Sequence, residues 1–295
     1  MEIGVAGLGR MGAAIAARLI EVGHKLTVWN RSPEKAKPLE AAGAVLARSP
    51  RELAEKVAAV VTILTDAAAI EVVYGGPSGL LAGKVSGKLF VEMSTVPPQT
   101  EIDLAARVRA KGASFAECPV GGTVGPARQG KLVGLMGAEE GDATRAKPIL
   151  EQLCRRLEHV GPVGNGAVMK LAINLPLMVY WQALGEALAL SRKVGLDPSR
   201  LMDLFADTSG GTNAIKMRGP AVATMLKGGD AGPVGFPIDG GLKDLRIMQA
   251  EGRARGLELP LVERTLTCFE RASRDGWGGR DGSSLPVYWT QKAAS

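Results

Sequence analysis

Ile3-Gly4-Val5-Ala6, running directly into Gly7-Leu8-Gly9-Arg10-Met11-Gly12 and then Ala13 to Gly23 (AAIAARLIEVG), decides how this chain is read. The first four residues are a short buried-strand pattern. The stretch after the glycines carries apolar residues at helical spacing. Leu26-Thr27-Val28-Trp29 is the next strand. The GxGxxG therefore sits between a strand and a helix inside a βαβ unit, the setting in which it cradles a dinucleotide. Its glycines let the backbone approach a pyrophosphate. The helix start offers N–H groups and a positive dipole end. Gly7, Leu8, Gly9, Arg10, Met11 and Gly12 are the expected cofactor contacts.

The residues after the second strand bear on which cofactor. An NAD-specific fold usually places Asp or Glu there for the ribose 2′-hydroxyl. Here they are Asn30-Arg31-Ser32. No carboxylate repels a 2′-phosphate, and Arg31 can pair with one. NADP is expected in preference to NAD. If Arg31 is only a surface charge, either cofactor serves.

The alternation continues. Ser49 to Lys56 is a short helix with Ser49 as N-cap and Pro50 at its first position. Further strands are expected at Val60–Thr65, Lys88–Met93, Ser114–Cys118 and Leu132–Met136, and helices at Gln99–Lys111 and Thr144–Leu157. The fold class is α/β: an N-terminal doubly wound Rossmann sheet over residues 1–163. Ligands of such sheets lie beyond the carboxyl ends of the strands. Leu64-Thr65, Ser94-Thr95 and Val120-Gly121-Gly122 all fall there.

Gly164 to Val194 then reads as one long helix, apolar on nearly every side. Lys170 and Asn174 interrupt its first half, four residues apart and so on one face. A buried lysine is costly without a partner. It either snorkels to the helix start or belongs to a site. Pro176 removes a backbone donor and is expected to bend the helix. Beyond Gly195 the patterns are helical only, at 198–206, 214–226, 241–252 and 260–274. Residues 164–295 are thus expected to form an all-α domain joined through this long interdomain helix, with the site in the cleft between the domains.

Composition narrows the function classes. The net charge of +6 is scattered, with no basic run interleaved with aromatics, so no nucleic-acid surface is read. A positive balance suits an anionic cofactor and substrate. Cys118, Cys154 and Cys268 form no metal or redox motif, and a reducing cytoplasm is the expected home. No metal site is expected. The N-terminus enters a strand at once, which leaves no room for a signal peptide. The long helix is too often interrupted by Lys170, Asn174, Gln182 and Glu186 for a membrane span. Its apolar length from Leu175 to Leu190 points to a homodimer or larger homo-oligomer.

Five stretches together resemble one family: GLGRMG at Gly7, MSTVPP at Met93, ECPVGG at Glu117, GAVMKLAIN at Gly166 and GLKDLRIM at Gly241. The chain resembles, over nearly its whole length, the β-hydroxyacid dehydrogenases. These include 3-hydroxyisobutyrate dehydrogenase, tartronate semialdehyde reductase and the glyoxylate/succinic semialdehyde reductases, with a 6-phosphogluconate dehydrogenase-like C-terminal domain. The resemblance implies that Lys170 is the catalytic lysine and that Asn174 orients it or the substrate. It implies that Ser94 and Thr95 lie near the nicotinamide end, Ser94 toward substrate. Val120, Gly121, Gly122 and Thr123 match the substrate loop. Lys243 matches a lysine closing over the cofactor, and Phe236 an aromatic of the cleft wall. The substrate loop departs from the usual Asp-Ala-Pro-Val-Ser-Gly. It reads Glu117-Cys118-Pro119-Val120-Gly121-Gly122, without the serine hydroxyl at Gly121.

The implied reaction is reversible hydride transfer between a nicotinamide and a carbonyl carbon of a small molecule, a carboxylate by this reading. Lys170 would stabilise the charge growing on oxygen and exchange its proton. His24 and His159 are given no role. Two other readings stay open. Imine reductases share the architecture and motifs like Asn30-Arg31-Ser32 and Leu64-Thr65-Asp66, but normally lack a lysine at position 170. A non-catalytic NADP-binding protein would keep Lys170 for structure alone.

Overall fold

The computed structural model describes residues 1–292 of the 295-residue chain. By its internal contacts the chain divides into two compact units, residues 1–171 and residues 172 onward. The division falls inside a helix, seven residues beyond the Gly164 at which the sequence pattern changes.

The first unit is built on a nine-stranded sheet. Its strands are β1 (Glu2–Ala6), β2 (Lys25–Trp29), β3 (Val45–Leu46), β4 (Ala59–Thr62), β5 (Leu89–Glu92), β6 (Ser114–Glu117), β7 (Val120–Gly121), β8 (Leu132–Ala138) and β9 (Cys154–His159). The spatial order is β3-β2-β1-β4-β5-β6-β8-β7, with β9 against β8. All pairs from β3 to β6 are parallel. This is the doubly wound order, reversing between β1 and β4. The crossovers are α1 (Arg10–Glu21), α2 (Lys37–Glu40), α3 (Pro50–Lys56), α4 (Ala67–Gly75) and α5 (Pro98–Ala110). The short α6 (Val124–Arg128) and α7 (Glu140–Leu150) follow.

Alternation along each strand sends neighbouring residues into different cores. Val61 and Val91 pack with Ile3, Val5, Ile15 and Leu19 on one side of the sheet. Val60 and Phe90 pack with Leu53, Tyr74, Leu104 and Phe115 on the other. Strands buried on both faces read as continuous apolar runs, and each fully buried Val, Ile or Phe contributes about 1.5–3 kcal/mol.

One expected element is corrected. The helix expected over Thr144–Leu157 ends at Leu150, and Cys154–His159 is a strand, pairing in parallel with β8. Arg155, Arg156, Glu158 and His159 point to solvent on this strand. It therefore shows neither the alternation of a half-buried strand nor an apolar run.

The long helix α8 spans Asn165–Ser191 and continues unbroken through Pro176. At about 1.5 Å per residue it is about 40 Å long. Its length and composition would suit a membrane span. Lys170, Asn174 and Gln182 are nevertheless buried along it, while Leu190 and, just beyond its end, Val194 are exposed. The second unit adds α9 (Pro198–Ala206), α10 (Asn213–Leu226), α11 (Ile238–Ala254), α12 (Pro260–Ala272) and α13 (Leu285–Lys292). Asp197 and Thr212 cap α9 and α10 through their side chains. Gly241 lets α11 approach closely, because a methyl there would press on Phe269 and on the Met178 sulfur of α8.

Candidate active site

β1 carries the glycine motif out at its carboxyl end. Gly7 has φ +98°, the left-handed region, and a Cβ there would overlap the Ile63 carbonyl. A Cβ at Gly12 would overlap the carbonyl of Gly7, so only glycine lets α1 start this close to the strand. Gly9 is different. It is exposed, and nothing lies within 4 Å of where its Cβ would be. Gly9 also serves as N-cap of α1 without a side-chain bond, and the first turn holds no acid. The turn thus presents helix amides and open space to an anion, which is what a pyrophosphate requires. These residues fit a dinucleotide.

The neighbouring strand ends are tied to this loop. Asn30 Oδ1 accepts from the Leu8 amide at 2.9 Å, and Asn30 Nδ2 donates to the Ser32 carbonyl at 2.9 Å. Arg31 is exposed beside them. The Leu64 amide donates to Ser94 Oγ at 2.7 Å, joining the ends of β4 and β5. Ser94 is only 2% exposed; its amide donates to Glu92 Oε2 at 2.7 Å and its hydroxyl donates to Glu92 Oε1. The hydroxyl is therefore turned inward, away from the surface on which Thr65 is exposed and Thr95 half-buried. Val120 and Gly121 pair with β8, and Gly122, at φ +131°, turns the chain outward to Thr123.

Beneath this edge lies a group of acids. Glu92, Glu101 and Glu117 are fully buried. Burial pushes the Glu92 carboxyl up, against the bonds from Ser94 and Thr62. Burial and the Glu92 charge push Glu101 well above the usual carboxylate range. Glu117 accepts from the amides of Gly164 at 2.5 Å, Gly166 at 2.8 Å and Ala167 at 3.2 Å. Burial lifts its carboxyl to about 7, even against these bonds. Lys170, 8% exposed, follows three residues after Ala167 on α8.

The second unit holds the remaining expected residues. Asn174, one turn beyond Lys170 on α8, donates to Asp244 Oδ2 at 3.0 Å. Lys243 Nζ lies 3.1 Å from Asp244 Oδ1, and Asp244 itself is buried. Phe236 is half-buried and lies against Gly240. The amides of Gly235 and Phe236 donate to Asp281 Oδ2 at 2.8 and 3.3 Å, with Arg218 3.9 Å from the same oxygen. Glu92, Glu101, Glu117, Asp244 and Asp281 are buried acids that motif reading leaves without a role. Among the described residues, no group of three His, Cys, Asp or Glu side chains is placed to hold a metal ion.

Helix amides beyond a glycine turn, at the switch point of a doubly wound sheet, define a dinucleotide-binding protein. Comparison with known proteins carries this further. Residues 2–161 match the profile described as the NAD binding domain of 6-phosphogluconate dehydrogenase. Residues 164–288 match that of the NAD-binding domain of NADP-dependent 3-hydroxyisobutyrate dehydrogenase. Glyoxylate/succinic semialdehyde reductase 1 of Arabidopsis thaliana is 33% identical over 97% of either chain. The 3-hydroxyisobutyrate dehydrogenase of Pseudomonas aeruginosa is 35% identical over 99% of either. The crystal structure of 3-hydroxyisobutyrate dehydrogenase from Salmonella typhimurium superposes with a TM-score of 0.86 at 26% identity. It covers 98% of this chain and 99% of that one. The chain belongs to the β-hydroxyacid dehydrogenase family and is an NAD(P)-dependent oxidoreductase acting on a CH–OH group of a small molecule.

Proposed function

We propose that this enzyme interconverts a small β-hydroxyacid and its semialdehyde or oxo acid with NADP(H), and that Lys170 is the proton-transferring residue. The observation that carries the reading is the lysine itself. It is 8% exposed on α8, in the same unit as the dinucleotide cradle. The bound nicotinamide supplies or accepts the hydride. Lys170 as an ammonium stabilises the negative charge on the carbonyl oxygen and gives it a proton; as a neutral amine it takes the proton back. Asn174, fixed by Asp244, orients the lysine or the substrate oxygen. Val120, Gly121, Gly122 and Thr123 meet the substrate carboxylate through backbone groups, and Phe236 supplies an apolar wall. Ser94 acts from within by holding Leu64, while Thr65, Thr95 and Lys243 contact the cofactor. Relatives named for glyoxylate, succinic semialdehyde and 3-hydroxyisobutyrate support an acid of this size.

The NADP preference rests on Arg31, exposed next to an Asn30 that takes the place of the usual carboxylate. Leu190, Val194 and Met217 are exposed apolar residues of the second unit and support a homodimer. Sedimentation as a monomer at micromolar concentration would count against it. Three buried free thiols suit a reducing cytoplasm, which cell fractionation tests.

The deciding assay is NADPH oxidation with glyoxylate, succinic semialdehyde, methylmalonate semialdehyde, tartronate semialdehyde and a cyclic imine. An aldehyde acid is the expected substrate, and Lys170→Ala should lower kcat about 10²- to 10⁴-fold with NADPH binding kept. Turnover of the imine alone, or activity that survives the substitution, would replace this reading with imine reduction or a binding role.

A further inference from the structure

Helix α8 has no side-chain cap at the residue before it. Gly164 precedes its first residue and has no side chain to offer. A side chain from 47 to 50 residues upstream fills the place instead: the Glu117 carboxylate takes the amides of Gly164, Gly166 and Ala167. Space for it is built in. A methyl at Gly137 would overlap its Oε1, and one at Gly166 would lie 3.1 Å from its Cδ. An anion at a helix N-terminus is favourable, which offsets part of the cost of burying it.

We propose that Glu117 is the positioning residue of Lys170: from the end of β6 its carboxylate binds three amides at the start of α8 and sets the depth and rotation of the segment that carries the lysine. The inference rests on Lys170 being the proton-transferring group. Ala167 and Lys170 are three residues apart, so they are neighbours along one helix face. A displacement at the bound amides moves Lys170 with them. Only a two-oxygen acceptor satisfies all three amides. Protonating Glu117 removes acceptor capacity at the helix start and releases that turn. The titratable groups that act on it or feel its charge are Glu92 from β5, Glu101 from α5 and the adjoining Cys118 thiol; Gly137 from β8 brings no charge. With the carboxyl at about 7, the release sets in as pH falls through about 7.

The test compares Glu117→Gln, Gly137→Ala and Lys170→Ala in the full-length enzyme. Glu117→Gln should lower kcat about 10- to 100-fold, the scale of a small misplacement of a reacting group. KM for NADPH should stay within about twofold, because the cradle is untouched. The acid limb of the wild-type kcat–pH profile should disappear in Glu117→Gln and persist in Gly137→Ala, which displaces the carboxylate but leaves it titratable. Backbone NMR of the wild type gives a measure that needs no variant. The amides of Gly164, Gly166 and Ala167 should shift with one midpoint, shared with the acid limb. An unchanged kcat in folded Glu117→Gln, or amide shifts without that midpoint, overturns the inference. If Lys170→Ala keeps full activity, the lysine reading falls instead.

Discussion

Two helices begin within the first unit just beyond glycine-bearing turns, and they treat their positive ends in opposite ways. The start of α1 is left open: Gly9 has no side chain, no acid occupies the first turn, and nothing crowds the space above it. The start of α8 is closed by the protein's own carboxylate, Glu117, in a cavity formed by Gly137 and Gly166. The same physical feature, a row of unsatisfied amides with a partial positive charge, is kept for a ligand in one case. In the other it fastens the helix that bears Lys170. The difference lies in which glycines face space and which face atoms.

That contrast can be broken at either end. The largest effect is expected at Gly12, where the missing Cβ is replaced by the Gly7 carbonyl. Gly12→Ala should lower stability by about 3 kcal/mol in urea denaturation and abolish detectable NADPH binding. Next comes the pH dependence of stability at Glu117. Its folded carboxyl sits at about 7, above the 4.5 of an unfolded glutamate, so the folded state holds its proton longer. Stability from this group is therefore lost as pH rises from 4.5 to 7. Glu117→Gln pays no such penalty. Its stability relative to wild type should climb across that window, by up to about 3 kcal/mol, and then level off; a flat difference from pH 5 to 8 would contradict this. Arg31→Ala should weaken NADPH about tenfold and leave NADH nearly unchanged, measured by nicotinamide fluorescence. Equal losses for both cofactors would remove the basis for an NADP preference. The smallest effect on folding belongs to Gly9→Ala. The melting temperature should stay within about 2 °C, while NADPH affinity still falls because the methyl stands where the anion approaches.

The sequence made the open end visible and left the closed end hidden. Gly7, Gly9 and Gly12 are spaced within one βαβ unit, so their purpose is local and can be read from the letters around them. Lys170 and Asn174 stand out because polar residues are rare along α8, and their spacing of four puts them on one face. Glu117 carries no such signal. Its partners are main-chain amides 47 to 50 residues away, and amides have no letter. Asp281 is equally silent, because it holds the Gly235 and Phe236 amides across 46 and 45 residues. Ser94 was legible as a strand-end residue, but not its inward rotamer, which depends on Glu92. The strand Cys154–His159 escaped for a different reason: it runs as β9 along only one neighbour and shows its charges to water, so its pattern resembles a continued helix. Where local periodicity coincides with burial the fold could be read. Where a long-range contact supplies the constraint it could not.

The division of contacts at Leu171 has a consequence for how such enzymes recombine. The turn from Gly161 to Gly164 looks like a natural seam, since the two family profiles meet there, at 161 and 164. A chimaera joined at that seam with a relative's second half would inherit Glu117 and Gly137 from one parent. Gly166, Ala167 and Lys170 would come from the other. The carboxylate and the turn it grips would then have separate histories, and the fit of their lengths would be left to chance. Splicing after Leu171 keeps them in one inheritance. It cuts through an unbroken helix, where a junction is easily matched in register. The unit of exchange in this protein thus extends seven residues into the helix that marks its end.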